Sequence, residues 1–435
     1  MRAQLIGNGL LMARLSEHRA AVLAALQLQG ASTEALLSFD DAAWQQVLTF
    51  CDRMKLTLPL ALRSSRGFPV WVNERLMENL TNTARRFVSV QATYREMAAA
   101  LDCAGVPHLV LKGFTQSPDF VKAPQCRMQS DIDLYTDTAH IPAGVQALEG
   151  IGYESSGTAE TYRQADHVPT LTRYREWRPG SSPYDPEMPL AIDLHYCLWN
   201  AAVSMIQLPE MEDFWKRRIE RKLGELSFPA LARVDHLGYF ALHMLRDLFA
   251  GAQALHQALE LATFLHERTD DVVFWTEWQA LHSPRLRRME ALSFALAGAV
   301  FSSRLPEAIH EEIARLPAQQ RRWIETCGGN LLATTFARNR DGRLLQFLLA
   351  DSPAMRRKIL WNAVLPTTIS SPQSVASWPE HAVMPQLQHR RWLGRYPAYL
   401  VSRISLNSAA IFRLVANGLL VFLSSFTLRR NAARY

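Results

Sequence analysis

Apolar side chains at Leu76, Leu80, Phe87, Val90, Tyr94, Met97 and Leu101 recur at steps of three or four residues or multiples of them. That spacing predicts one long amphipathic helix. Gly105 offers a C-cap, and Pro107 prevents the helix from resuming. The whole of 1–105 reads as a mostly helical region. The period then changes. His108-Leu-Val-Leu111 is a short apolar run that suits a buried strand. From Ser130 to Thr136 the pattern alternates, with Ile132 and Leu134 on one side and Asp131, Asp133 and Tyr135 on the other. Ala143–Ile151 reads as a helix, with Asp137 or Thr138 as N-cap. A Tyr-, Arg- and Pro-rich stretch over 153–189 suits strands with long loops. Pro189–Leu198 alternates again, with Ile192 and Leu194 opposite Asp193 and His195.

After Trp199 the helical spacing returns, over Val234–Ala250, Ala254–Arg268 and Ser293–Phe301. Pro366, Pro372 and Pro379 mark an irregular connection, and Leu406–Leu428 is a largely apolar segment with Arg413 and Asn417 inside it. The expectation is an α+β fold. A small mixed-sheet core at 106–200 is flanked by helical regions at 1–105 and 201–350, and 351–435 forms the connection and a basic, apolar tail.

Composition narrows this only a little. The 435 residues are 48% hydrophobic and 20% charged, which is ordinary for a globular chain of two or three domains. The five cysteines are scattered, with no C-x-x-C pair, so neither a disulfide framework nor a zinc site is expected and a reducing cytoplasm is. The N-terminal stretch lacks the apolar core of a signal peptide. The net charge of +6 comes from the tail: 381–435 holds eight arginines and no acid, which leaves about −2 for the rest. A near-neutral body argues against a nucleic-acid partner. For the tail, a helix docked on the body is preferred to peripheral membrane contact, because Arg413 within a lipid-buried helix would cost about 2.5–3.5 kcal/mol at the centre. Nucleic-acid binding by the tail ranks third.

The chemistry concentrates in the alternating strands. Asp131 and Asp133 share a strand face with Cα atoms roughly 6.5 Å apart. Like charges held together call for an offsetting cation, and a divalent metal is the usual one. Asp193 stands on a second strand of the same alternation, so pairing of the two strands would bring three carboxylates together. Magnesium (Mg2+) takes oxygen ligands and is commonly held by one or two carboxylates plus substrate phosphates. Two such ions about 3.5–4 Å apart serve attack at phosphorus. At the Lys112-Gly113 turn, glycine allows close approach of backbone N–H groups to a phosphate, while Lys112 and Arg127 supply charge.

Leu111-Lys112-Gly113, Arg127, Asp131-Ile132-Asp133-Leu134 and Asp193-Leu194-His195-Tyr196, taken in order, resemble the uncharacterised nucleotidyltransferase family of the polymerase-β-like superfamily. The likeness covers most of 40–290. It implies a nucleoside triphosphate (NTP) donor, magnesium with two ions, and nucleotidyl transfer to an acceptor that the sequence does not name. Asp131, Asp133 and Asp193 would be the catalytic, metal-binding carboxylates. Lys112, Gly113 and Arg127 would face the triphosphate. In one departure, the superfamily's Gly-Ser motif is replaced here by Lys112-Gly113-Phe114. The competing expectation is a nucleotide-binding module with little turnover that engages a protein, peptide or membrane.

Simpler readings compete for individual residues. Arg127 could merely pair with Asp131 or Asp133. His195 reads as structural or supporting. For His236, His243, Arg246 and Asp247 an exposed or interdomain helix side is preferred to contact with the donor. His256 and Glu260, four apart, read as a local helix pair or solvated side rather than metal ligands.

Overall fold

The computed structural model of the chain describes residues 16–63, 67–155, 166–173, 182–250, 254–328 and 341–364, with four isolated positions between 412 and 419. The proline-marked connection and nearly all of the basic tail, including Arg413 and Asn417, lie outside the described residues.

Three N-terminal helices bear on the acidic strands and their surroundings: α1 (Glu17–Ala25), α2 (Asp41–Met54) and α3 (Val70–Cys103). The long helix forecast from periodicity is α3. Its buried positions run Val72, Leu76, Asn79, Thr83, Arg86, Val90, Tyr94, Met97 and Leu101, always three or four apart. At about 1.5 Å per residue it is roughly 50 Å long. It ends as the sequence suggests: Gly105 takes φ +66°, and the Val106 N–H donates back to the Leu101 carbonyl at 2.9 Å.

The sheet comes next along the chain. Its strands are β1 (Leu109–Val110), β2 (Asp131–Tyr135), β3 (Glu154–Ser155), β4 (Leu171–Thr172), β5 (Ala191–His195), β6 (Ile219–Leu223) and β7 (Leu226–Ala230). Their order is β3-β4-β5-β2-β1-β7-β6. β2 and β5 pair in parallel, as do β1 and β7, and the other neighbours are antiparallel. The sheet is therefore mixed, as expected. The β6–β7 hairpin was not expected, because helix was read throughout beyond Trp199. Ile219–Leu223 is an edge strand in which only alternate positions gain even partial cover, so apolar alternation is weak there.

One face of the sheet is apolar. Val110, Ile132, Leu134, Ile192, Leu194 and Phe228 pack with Val90, Tyr94, Met97 and Leu101 of α3 and with α4 (Ile141–Gly150). The start of α4 differs from the forecast. His140 is the N-cap, and Asp137 instead accepts from the Ala139 N–H and the His140 ring. The other face carries the acids and looks toward a helical body that includes α5 (Arg233–Ala250), α6 (Leu255–Glu267), α7 (Val272–Leu281) and α8 (Pro284–Phe301). These helices share a large core with α1 and α2. Among the described residues, no helix is long and apolar enough to cross a membrane.

Candidate active site

Two alternating strands make a site only if their registers agree. In the parallel β2–β5 pair Asp133 stands directly beside Asp193, Asp131 beside Ala191 and Tyr135 beside His195. Since Ile132, Leu134, Ile192 and Leu194 are drawn into the apolar core, the alternation forces Asp131, Asp133, Asp193 and His195 onto the opposite face. Buried Arg86 of α3 fixes the approach to both strands. Its guanidinium donates to the carbonyls of Gln129, just before β2, and Met188, just before β5, at 2.5 and 2.6 Å.

Over this face lies a cavity of about 310 Å³. Lys112, Arg127, Asp131 and Asp133 line it from the sheet side, Phe240, His243 and Asp247 from α5, and His256 and Gln257 from α6. Arg53 and Lys55, from the end of α2, close a further wall. Of the six residues forecast for the site, Gly113 and Asp193 do not line this cavity.

The predicted residues differ in their partners. The Lys112 ammonium lies 2.6 Å from Asp133 Oδ1 and 3.1 Å from His243 Nε2. Asp133 also accepts from His195 Nε2 at 3.0 Å. Burial disfavours charge on Asp133, but Lys112 and His195 outweigh it and hold the carboxyl well below the usual range. Asp131 behaves oppositely. Burial, and next the Asp133 charge, raise its proton affinity, only partly offset by Lys55 and Lys112. Its carboxylate has no hydrogen bond or ion pair among the described residues. The pair thus splits into one firmly ionised acid and one acid short of positive charge.

A family model for uncharacterised nucleotidyltransferases matches residues 40–302, more than half of the chain. The chain belongs to this family. No curated protein and no solved structure matches it. The family's activity class is nucleotidyl transfer, with a nucleotide as substrate.

Asp193 accepts from Thr170 Oγ1 at 2.6 Å, and His167 Nδ1 stands 3.6 Å away. Among the described residues no three His, Cys, Asp or Glu side chains are gathered closely enough to hold a metal as they stand. The three aspartates share a face, yet Lys112 holds Asp133 and Thr170 holds Asp193. The donor set is nevertheless of the right kind for a hard cation: carboxylate oxygens around Asp131, whose charge is under-compensated.

Arg127 pairs with neither aspartate. Its Nε donates to Glu260 Oε1 of α6 at 2.8 Å. Burial raises the proton affinity of Glu260, against the pull of Arg127. The solvated-side reading of His256 and Glu260 is therefore wrong, because the β2 approach and α6 close on each other there. Gly113 is needed for a reason other than the forecast one. It takes φ +74°, and a Cβ there would lie 2.3 Å from Gln129 Nε2, which itself donates to the Asp131 carbonyl at 2.8 Å.

The exposed reading of the α5 polar set also fails. The His243 side chain is 9% exposed, and His236 is buried. Burial and the Lys112 charge push the His243 ring down to about 4, so it is neutral at pH 7. Lys112 Nζ stands 3.1 Å from the ring Nε2 and Arg246 Nη2 3.1 Å from the ring Nδ1, so both ring nitrogens face cationic donors, with Asp247 3.6 Å from Nδ1. His195 links outward to Asp166, with Nδ1 3.6 Å from Oδ2, and Arg246 closes that chain on Asp166. Sequence reasoning missed Arg53, Lys55 and Arg86. The only signal for Arg86 was a polar residue at a position where the α3 period demands burial.

Proposed function

We propose that the protein transfers a nucleoside monophosphate from an NTP to an acceptor, with magnesium held by Asp131, Asp133 and Asp193. The observation that carries this reading is the parallel, in-register β2–β5 pair, which sets three carboxylates on one face beside a cavity rich in cationic side chains. Magnesium, when bound, supplies the positive charge that offsets Asp131 and the donor's phosphates. The chain's own residues do the rest by position and charge. Lys112, held between Asp133 and His243, fixes the Asp133 carboxylate at the cavity wall. His195 holds the Asp133 carboxylate in orientation and keeps it ionised. Phe240, His243 and the α6 residues wall the cavity on the side opposite the sheet. Asp193, at the edge of the acid face, is placed to orient the attacking group of the acceptor.

A second reading has one observation in its favour. Asp133 and Asp193 are already engaged by Lys112 and Thr170, which suits a module that holds a nucleotide with little turnover. The test is incubation with α-labelled triphosphates, magnesium and cell extract. Label transferred to an acceptor by the wild type and not by Asp131→Asn supports transfer. Thermal stabilisation by a triphosphate without transferred label or released pyrophosphate supports the binding module.

A further inference from the structure

Not all the cations around the cavity are available to a ligand. Lys112 is bound by Asp133 and Arg127 by Glu260. Arg53 and Lys55 line the same cavity, and their side chains have no hydrogen bond or ion pair among the described residues. They come from outside the sheet, at the point where α2 ends.

The backbone there is unusual. Lys55 occupies the left-handed region at φ 55°, ψ 35°. Its N–H donates to the Asp52 carbonyl at 3.2 Å, and the Leu56 N–H to the Cys51 carbonyl at 2.8 Å, so the helix ends in a tight reversal that buries Leu56. Glycine is the residue that such a helix end favours, since it has no Cβ to clash. A lysine here gains nothing for the reversal itself. What it gains is a direction: the side chain joins the cavity wall, within electrostatic reach of Asp131, Glu260, Lys112 and Arg127. Arg53, two residues earlier, also lines a second cavity of about 250 Å³ beside His18 and Arg19, so the positive wall continues outward between α1 and α2.

We propose that Arg53 and Lys55 form the subsite for the polyphosphate tail of the donor. The inference deepens the nucleotidyl-transfer reading and rests on it for the identity of the donor. Two unengaged positive charges, one a compact ammonium and one a forked guanidinium, match adjacent phosphate groups. They face the acidic strand from across the cavity. A donor could then span from the aspartates to α2, with its leaving pyrophosphate on the Arg53–Lys55 side. A phosphate carried by the acceptor would have the same chemistry, and a comparison of ATP, AMP and tripolyphosphate as ligands separates the two sources.

The experiment is isothermal titration of the full chain with magnesium and, separately, ATP, AMP and inorganic tripolyphosphate. It compares wild type with Lys55→Gly and Arg53→Gln. A lost charge-assisted contact corresponds to roughly tenfold or more in affinity. The expected result is that loss for ATP and tripolyphosphate in each variant, with AMP unchanged. Lys55→Gly should keep or slightly raise the melting temperature, because its backbone conformation suits glycine, which separates a binding role from a structural one. Equal affinity of wild type and variants for ATP and tripolyphosphate overturns the subsite. So does a loss seen equally with AMP, which would place the pair at the nucleoside or acceptor end. Wild type that binds tripolyphosphate through this pair yet transfers no label would sink the transfer reading and leave the subsite standing. Wild type that binds neither polyphosphate would sink both.

Discussion

His282 gives the most quantitative prediction. Its side chain is fully buried between two acids, with Nε2 3.2 Å from Asp235 Oδ1 and Nδ1 2.7 Å from Glu290 Oε1. The acids have other partners too: Arg217 clasps Asp235 at 2.9 and 2.7 Å, and Trp278 Nε1 donates to Glu290 at 2.6 Å. Burial alone would lower the His282 pKa. The flanking Glu290 and Asp235 more than reverse this and raise it to about 9. From an unfolded value of about 6.5, that shift corresponds to about 3 kcal/mol of stability. The folded value is the higher one, so this contribution is complete below about pH 6.5 and is lost as the pH rises through 9. The assay is urea unfolding of the full chain at several values between pH 7 and 9.5, comparing wild type with His282→Gln. The variant leaves the buried Glu290 without its cation while Asp235 keeps Arg217, a defect worth about 3–5 kcal/mol when one partner of a buried pair is removed. It should therefore be much the weaker at pH 7, with the gap narrowing by about 2 kcal/mol as wild type loses its imidazolium. A gap that stays constant across this range would show that His282 is neutral in the fold and that the charge argument is wrong.

Asp131→Asn should abolish nucleotidyl transfer while the melting temperature holds or rises, because the variant removes a charge that burial and Asp133 already disfavour; transfer at the wild-type rate would exclude Asp131 from the chemistry. Gly113→Ala should destabilise by at least about 1–2 kcal/mol, the cost of a left-handed backbone for a residue with a Cβ, and by more because Gln129 must move; an unchanged urea midpoint would refute this. His243 acts in the opposite pH direction to His282: its folded pKa of about 4 lies below the unfolded value, so its contribution is present above about pH 6.5 and lost as the pH falls through 4. His243→Leu should accordingly flatten part of the acid-side loss of stability, as measured by thermal melts from pH 7 to 4, and an acid limb identical to wild type would count against it.

Much of the fold could be read directly because periodicity and burial agree there. In α3 the apolar spacing, the glycine end and Pro107 all point the same way, and so do the alternations in β2 and β5. The β6–β7 hairpin was hidden because its strand Ile219-Glu-Arg-Lys-Leu223 lies at the sheet edge, where charged side chains are compatible with pairing. The fate of individual polar residues was harder. His236 and His243 lie on a helix that looks amphipathic, and a polar stripe normally meets solvent. Here His243 meets Lys112 beside the acidic face, while His236 meets Thr115, Phe120 and Arg221, and nothing local to α5 announces these partners waiting opposite. Arg127 and Glu260 are 133 residues apart in the chain, so no spacing rule could have paired them.

The candidate site shows the same division more sharply. Its acids lie on adjacent strands, and strand alternation alone assigns them a common face, so Asp131, Asp133 and Asp193 were legible. Its cations come from at least three separate places: the end of α2, the turn after β1 and the approach to β2. Which of those cations is spent internally depends on contacts across the whole fold. Lys112 and Arg127 stood out in the sequence because they sit next to the acidic motif, yet that closeness is what leaves them engaged, by Asp133 and Glu260. Arg53 and Lys55 lie some 75 residues before the motif and make no hydrogen bond or ion pair with an acid among the described residues. The cations left without an ion-pair partner thus come from an element far in sequence from the acids. The proposed phosphate subsite draws on the N-terminal helices as well as the sheet, and the family match begins at residue 40, just before α2, not at the sheet.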